Sequence, residues 1–421
     1  MRIFILSATL LFIAAGAAYA EPLTLVAALG KTAAANRTLK LAAYDEQIAE
    51  ENIRLNRSGY LPRVDVQGGY TAQQAPQSVT TPFGSFSTQD QDFAFVSLGI
   101  NQTLYDFGRT SARYERAKVN YDATRFAYRT QEQGLFLQTV ISYFRILQFQ
   151  KLLQAADDEV KQMTDHLSVA QNLFEQGVVT RNDLLQAEVR LSSSSQRRLD
   201  TANRLNNSWL FLNDLTGELP EYRNVLLEET SFDLTGLDIP ANDAVAMRTE
   251  IQAQKKLLEA SESDVIETRS GYFPELFAKL GLDYVQNSRV KEQVIMAATA
   301  GLKVNLFDGF ATTSRFRQAV KNRSRTEERL RQLESDLALE YRTALNDAKV
   351  AKERISVTET SIKQGEENLR INRDRYQEQV GTATDVIDAQ TLLSQIRTEH
   401  YQAIFDYEVA LARVKRAKGE L

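Results

Sequence analysis

Asp385 and Asp388 are the residues of this 421-residue chain whose type and spacing most clearly suggest chemistry. Three positions apart, they share one face of a helix expected to begin just after Thr382. Repeated around a symmetry axis, two carboxylates per chain make a ring that repels anions, attracts cations and can raise carboxylate pKa values through mutual repulsion. The same pair also fits a solvated helix start, where acidic side chains meet the positive end of the helix dipole. Composition and spacing leave both readings open. Catalysis finds less support. The two histidines, His166 and His400, are far apart, and His400 occupies an apolar seam where a packed or hydrogen-bonded imidazole is expected. There is no cysteine, which removes thiol nucleophiles, disulfides and thiolate metal sites. No G-x-S-x-G, HExxH or P-loop pattern occurs. We therefore expect no enzyme, no cofactor and no metal. A formal net charge of −5 leaves no basic surplus for phosphates, so no nucleic-acid partner is expected.

The elements that must position these aspartates occur twice. RSGYLP at Arg57–Pro62 returns as RSGYFP at Arg269–Pro274. LYDFG at Leu104–Gly108 is echoed by LFDGF at Leu306–Phe310, and FEQGVVTRNDLLQAE at Phe174–Glu188 by YQEQVGTATDVIDAQ at Tyr376–Gln390. One supersecondary unit of roughly 200 residues is thus present in duplicate. The seven prolines leave Phe83–Leu219 and Glu275–Leu421 proline-free. Average usage would put roughly seven in each stretch, so long uninterrupted helices are the simplest explanation. Apolar residues step by three and four along Val160, Met163, Leu167, Ala170 and Phe174, and along Val386, Ala389, Leu393, Ile396, His400 and Ala403, as coiled-coil seams do. The seam after Thr180 (Leu184, Ala187, Leu191, Ser194, Arg198) is thinner and suits a helix partly facing water. Helices are expected from about Arg109 to Glu175 and from about Ala311 to Gln377, each roughly 100 Å long at 1.5 Å per residue. Turns at Gly177-Val178-Val179-Thr180 and Val380-Gly381-Thr382 follow, with glycine allowing positive φ and threonine capping the returning helix.

Between these helical hairpins the period drops to two. Val64, Val66, Gly68 and Tyr70 alternate with Arg63, Asp65, Gln67 and Gly69; Leu276 to Tyr284, Val96 to Ile100 and Ala298 to Val304 alternate likewise. Each repeat therefore supplies one β-hairpin of about ten-residue strands, a length that suits tilted membrane-spanning strands. Ala72–Gln91 and Gln286–Gln293 read as loops. Residues 1–20 read as a cleaved secretory signal, with Arg2, the apolar run Ile3–Ala15 and Ala18-Tyr19-Ala20. No other apolar run approaches the roughly 18 residues of a spanning helix. The expected organisation is a signal over 1–20, a helix over 21–61, a strand hairpin over 62–104, a helical hairpin over 105–215, a linking segment over 216–240, a helix over 241–273, a second strand hairpin over 274–306, a second helical hairpin over 307–418, and a tail over 419–421. Four strands cannot close a barrel and a bilayer tolerates no open edge. Two copies would give eight strands with a filled interior; three would give twelve and a lumen.

Taken together, the paired GY(L/F)P helix-to-strand junctions, the L(Y/F)D strand-to-helix junctions and the two turn motifs resemble the TolC-like outer-membrane efflux proteins. The resemblance covers Leu23 to Lys418. It implies an α+β membrane protein with long antiparallel helical hairpins forming a coiled-coil tunnel, plus four transmembrane β-strands per protomer completing a 12-stranded barrel in a homotrimer. It further implies an outer-membrane location with a periplasmic extension and passive export of drugs, ions or proteins. The implied partners are outer-membrane lipid, a periplasmic adaptor and an inner-membrane pump of RND, ABC or MFS type. By residue matching, Asp385, Asp388, Tyr376 and Asp183 fall at the family's periplasmic gate, and Gly177, Val178, Val179, Thr180, Val380, Gly381 and Thr382 at the adaptor-docking tips. Gly59, Pro62, Gly271, Pro274, Asp106 and Asp308 fall at the helix–strand junctions. The gate arginines of the family correspond here to Gly381 and Ile404, so those links are not carried over; Arg181 and Arg373 are the nearest substitutes. Tyr105, Phe107, Phe307 and Phe310 fit either a membrane-interface belt or junction packing, and Trp209 fits core packing.

Overall fold

The computed structural model describes residues 23–223, 240–378 and 380–421. The expected signal over 1–20 and most of the linking segment over 216–240 lie outside these residues. Eight α-helices and six strands are described. Helices α1 (Leu25–Ala35) and α2 (Arg37–Arg57) are separated at Asn36, whose backbone is extended and whose side-chain amide donates to Leu215 O at 3.1 Å. A 3₁₀ turn at Ser58–Tyr60 leads into β1 (Arg63–Ala72). Next come β2 (Ser78–Thr81), β3 (Gly84–Ser87) and β4 (Asp92–Tyr105). The 67-residue α3 (Arg109–Glu175) turns into α4 (Arg181–Thr216). After α5 (Ala241–Ala246) and α6 (Thr249–Ser270), β5 (Glu275–Val285) and β6 (Val294–Lys303) precede α7 (Ala311–Gln377) and α8 (Ala383–Lys418). The long-helix limits coincide with those read from the proline-free stretches. The expected loop over Ala72–Gln91 instead contains the β2–β3 hairpin. Pro76 and Pro82 suggested irregular chain, but Pro82-Phe83-Gly84 makes the turn, with Gly84 at φ +131°.

The described residues pack as two units. Of the described residues, one takes 23–36, 135–223 and 348–412; the other takes 37–134, 240–347 and 413–421. In the first, Val140, Tyr143, Ile146, Leu212 and Leu411 are fully buried, with Trp209 beside them in the core, as its position suggested. The seam residues Ala389 and Leu393 close on Leu369, with Val386 against them. His400 Nδ1 sits 3.0 Å from the Thr358 hydroxyl, a hydrogen-bonded imidazole as expected.

In the second unit, Val245, Ile251 and Leu337 form a small core with Leu330 and Leu333. Beside it Arg248 is wholly buried. Its guanidinium makes a two-pronged contact with Glu250 (3.0 and 2.7 Å) and donates to Ala417 O at 3.1 Å. Arg416 completes the network through Glu250 at 3.0 Å and Glu340 at 2.8 Å. Burial works against a charged Glu250, but Arg248 outweighs it and holds the carboxyl below its usual range. Removing one partner of such a buried network would cost about 3–5 kcal/mol.

The sheet of this unit has the order β1-β4-β5-β6, antiparallel throughout. Its register sorts residues by polarity across all four strands. Val64, Ile100, Leu280 and Ala298 align, as do Val66, Leu98, Leu282 and Met296, on one face. On the other face, Arg63, Asn101, Lys279 and Thr299 align, followed by Asp65, Gly99, Gly281 and Ala297, then Gln67, Ser97, Asp283 and Ile295. A one-residue slip would exchange the two faces, so this patterning fixes the register. No helix among the described residues is long and apolar enough to cross a membrane.

Candidate functional site

Two kinds of position carry the candidate residues: helix–strand junctions in the second unit and helical turns in the first. At each strand-to-helix junction an aspartate caps the long helix. Asp106 Oδ2 accepts from Thr110 N (2.8 Å) and Thr110 Oγ1 (2.6 Å). Asp308 Oδ2 does the same with Thr312 N (2.9 Å) and Thr312 Oγ1 (2.6 Å), and also accepts from Asn305. The two residues after each aspartate both have positive φ: Phe107 (+53°) and Gly108 (+93°) in one copy, Gly309 (+67°) and Phe310 (+68°) in the other. A phenylalanine in that region is strained by Cβ crowding. Phe107 is held by a stacked Phe273 ring at 5.0 Å and by Tyr105 at 4.8 Å. Phe310 meets Phe307 edge-on at 5.7 Å.

Gly59 and Gly271, read from sequence as the points where helix gives way to strand, have a more specific role. A Cβ on Gly59 would stand 3.1 Å from Thr110 Cγ2, and one on Gly271 would stand 3.3 Å from Thr312 Cγ2 and 3.1 Å from Thr268 O. Each glycine thus lets the incoming helix end lie directly against the threonine held by the capping aspartate. Leu61 is extended (φ −103°, ψ 152°), the conformation that a following proline, Pro62, favours. Pro274 likewise immediately precedes β5. Two ring pairs repeat the arrangement: Tyr60 against Tyr114 at 5.9 Å, and Tyr272 against Phe316 at 6.0 Å. Thr110 and Thr312 escaped the sequence reading, although D-x-x-x-T after an L(Y/F) pair in both repeats was a visible signal.

The turns begin their returning helices in the same way. Thr180 and Asp183 form a reciprocal capping box: Asp183 Oδ2 accepts from Thr180 N (2.9 Å) and Oγ1 (2.8 Å), while Asp183 N donates back to Thr180 Oγ1. Thr382 N donates to Asp385 Oδ2 (3.0 Å), and Asp385 N donates to Thr382 Oγ1 (3.2 Å). The Thr180 hydroxyl and then its amide lower the Asp183 pKa, and the Thr382 amide and then its hydroxyl lower that of Asp385. Within one chain Asp385 is therefore held below the usual carboxylate range rather than raised. Burial, and then the Asp183 charge, push the Tyr376 phenol up, which puts Tyr376 and Asp183 within electrostatic reach across the two hairpins.

Asp388 caps nothing. It is exposed, and Arg190 Nη2 of α4 comes to 4.0 Å from it. Of the two arginines considered as substitutes in the gate, Arg373 donates to Gln390 at 3.3 Å. Arg190, the ion-pair partner of Asp388 among the described residues, was passed over by sequence reading although it lies two turns beyond Asp183 on the same helix. The turns differ in how they end the preceding helix. Gly177 has φ +75° with open space where its Cβ would be, and Val178 N reaches back to Leu173 O. Gly381 is not at positive φ. Its amide and that of Val380 both donate to Arg375 O, and a Cβ there would stand 3.2–3.3 Å from Arg375 and Tyr376 atoms. Glycine at 381 is thus required for close approach, not for a left-handed backbone. The exposed Val178 and Val380 side chains stand out at the two turns.

This architecture recurs in known proteins. The Campylobacter jejuni CmeC outer membrane channel, in its crystal structure, superposes with a TM-score of 0.84 at 17% identity, over 94% of this chain and 85% of CmeC. The crystal structure of VceC from Vibrio cholerae gives 0.83 at 15% identity, over 94% and 96%. At that identity the likeness shows a shared fold. In sequence, the chain is 23% identical to outer membrane protein TolC of Vibrio cholerae over 90% of this chain and 86% of TolC. It is also 23% identical to the alkaline protease secretion protein AprF of Pseudomonas aeruginosa over 90% and 81%. The profile of the family described as "Outer membrane efflux protein" matches residues 28–218 and 241–420. Members of that family are outer membrane channels rather than enzymes. With both halves of the sequence matched, the chain belongs to the outer membrane efflux protein family, that of TolC.

Proposed function

We propose that this chain is the exit duct of a tripartite efflux or type I secretion system. It is a homotrimer whose twelve strands close one barrel in the outer membrane, with the helical hairpins as its periplasmic tunnel. The observation that carries this reading is the four-stranded sheet whose edges β1 and β6 have no further strand partner among the described residues, and whose rows through Val64, Val66 and Gly68 carry no charge. Bilayer hydrocarbon admits no unpaired strand edge. Three copies pair every edge and leave a lumen, whereas two would leave an interior filled by side chains. β4 and β6 each pass into a long helix within a few residues, at Asp106 and Asp308, so the same wall continues out of the membrane.

The duct is passive, and energy comes from an inner-membrane pump reached through a periplasmic adaptor. Asp385, Asp388, Tyr376 and Asp183 make the periplasmic gate; the turns Gly177–Thr180 and Val380–Thr382 are the adaptor-docking tips. Residues 1–20 serve as the cleaved signal. The names of the relatives support both efflux and protein secretion, and cargo choice then belongs to the pump. Planar-bilayer recording of the purified protein tests the reading. Discrete conductance is expected, with block by multivalent cations from the tunnel side that Asp385→Ala/Asp388→Ala weakens. A monomer soluble without detergent and inactive in bilayers would overturn the duct. Unchanged block in the double variant would remove these aspartates from the mouth. A periplasmic adaptor without a pore would have one helical hairpin set in small β-rich domains, whereas this chain has two hairpins, each preceded by amphipathic strands.

A further inference from the structure

We propose that the lumen face of the sheet carries, at its Pro62/Pro274 end, a cationic belt of Lys279 and Lys303 that draws anions into the barrel and shifts its ion preference toward them. The proposal rests on the trimeric barrel reading above, because the belt exists only once the sheet closes on itself.

Register decides which face is the lumen. The rows through Val64 and Val66 are aliphatic across all four strands, and the row of Gly68, Val96, Tyr284 and Val294 contains no charge. That is the lipid-facing pattern of a membrane barrel, so the charged rows face inward. The inward charges then divide by partner. Arg63 Nε lies 2.9 Å from Asp65 Oδ1 on the same strand. Glu275 stands opposite Lys303 in register, but its carboxylate is taken by Arg109 at 3.1 Å and by the Thr103 hydroxyl at 3.2 Å. Among the described residues, neither Lys279 nor Lys303 has an ion-pair partner. The Lys279 ammonium instead lies 5.2 Å from the centre of the Phe277 ring, a cation–π contact that leaves its charge uncancelled. Both lysines are exposed and line one open hollow of about 1120 Å³ with Arg63, Asn101 and Phe277.

The nearest inward carboxylate further along β5 is Asp283, four residues on. At about 3.4 Å per residue the separation is about 14 Å, beyond the screening length of about 8 Å at physiological salt. Asp283 therefore does not neutralise Lys279 locally. Closure of three copies would place six lysine ammonium groups at one end of the barrel, and rings of Lys or Arg favour anions in pores. The ligand class is small anions and anionic groups on larger cargo.

The test is the reversal potential of the full-length trimer in planar bilayers under a KCl gradient. Lys279→Gln/Lys303→Gln is expected to lower the anion-to-cation permeability ratio several-fold, Lys279→Glu/Lys303→Glu to lower it further, and Lys279→Arg/Lys303→Arg to leave it near wild type. Single-channel conductance of each variant shows that the barrel has folded. Channels that conduct with a reversal potential indifferent to the Gln and Glu variants would overturn the belt and leave the duct intact. Preparations in which no variant, nor the wild type, conducts would overturn the duct reading and the belt with it.

Discussion

The two strand-to-helix junctions are close copies of each other, and the two helical turns are not. At the junctions, Asp106 and Asp308 cap through the same pair of threonine donors, and Gly59 and Gly271 lie against the same two threonines. At the turns, both returning helices start with a threonine–aspartate cap, but one preceding helix ends on a left-handed Gly177 and the other on a tightly folded Gly381. The difference teaches where duplication can drift. In the proposed duct, a barrel wall built from both repeats leaves the membrane in one geometry all round, which fits two junctions held alike. The proposed gate gains from unlike halves, because one hairpin can then move while its neighbour stays.

The junction half of this comparison is the most fragile to substitution. Gly271→Ala should destabilise by about 1–3 kcal/mol, the usual cost of overpacking, and Gly59→Ala by somewhat less. The reason is that Gly271 meets a backbone carbonyl as well as a threonine methyl. Thr110→Ser keeps the hydroxyl on Asp106 and removes the methyl, so it should rescue Gly59→Ala fully. Thr312→Ser should rescue Gly271→Ala only in part, because Thr268 O remains. Thermal unfolding of the four variants reads this out; equal rescue would show that the junctions differ less than their contacts indicate.

The turn half gives a smaller effect with a change of order. Gly177→Ala places a Cβ at φ +75° and should cost about 1–2 kcal/mol, with Gly177→Asn milder because asparagine tolerates that region. At Gly381 asparagine has no such advantage, and its larger side chain should be the worse of the two. Finding the same Ala-to-Asn order at both positions, by chemical denaturation, would erase the distinction between the turns.

The smallest expected effect is shared by both turns. Asp183 and Asp385 are held below the ordinary carboxylate range in the folded chain by their threonine partners. Their contribution is thus complete above the unfolded value of about 3.9 and is lost as pH falls through the lowered folded values. Asp183→Asn/Asp385→Asn should flatten the acid limb of the Tm-against-pH curve slightly relative to wild type. An unchanged acid limb would remove both caps from the acid response.

Much of this was legible in the residues. The existence of the long helices followed from proline placement, and their limits from the LYDFG and LFDGF motifs before them and the glycine-containing turns after them, because helix breakers act locally. The strand faces followed from period-two alternation at Val64–Tyr70 and Leu276–Tyr284. Three features were hidden because they depend on contacts that residue type and period do not show. The need for Gly59 is set by Thr110, that for Gly381 by the path of the chain past Arg375, and the reach of Arg190 to Asp388 by the pairing of hairpins. The β2–β3 hairpin escaped for another reason: its four-residue strands are too short to show a period.

The buried Arg248 network has a consequence in time. Its partners are Glu250, Glu340, Arg416 and the carbonyl of Ala417, while the unit it secures begins at Arg37. Synthesis delivers residues in order at about 5–20 per second, so the early residues of that unit wait tens of seconds for the ones that complete its buried ion-pair network. For part of that interval β4 also lacks its partner β5, and apolar strands with open edges are the state most prone to aggregate. A unit whose buried charges draw on Arg416 and Ala417 is incomplete until those residues are made.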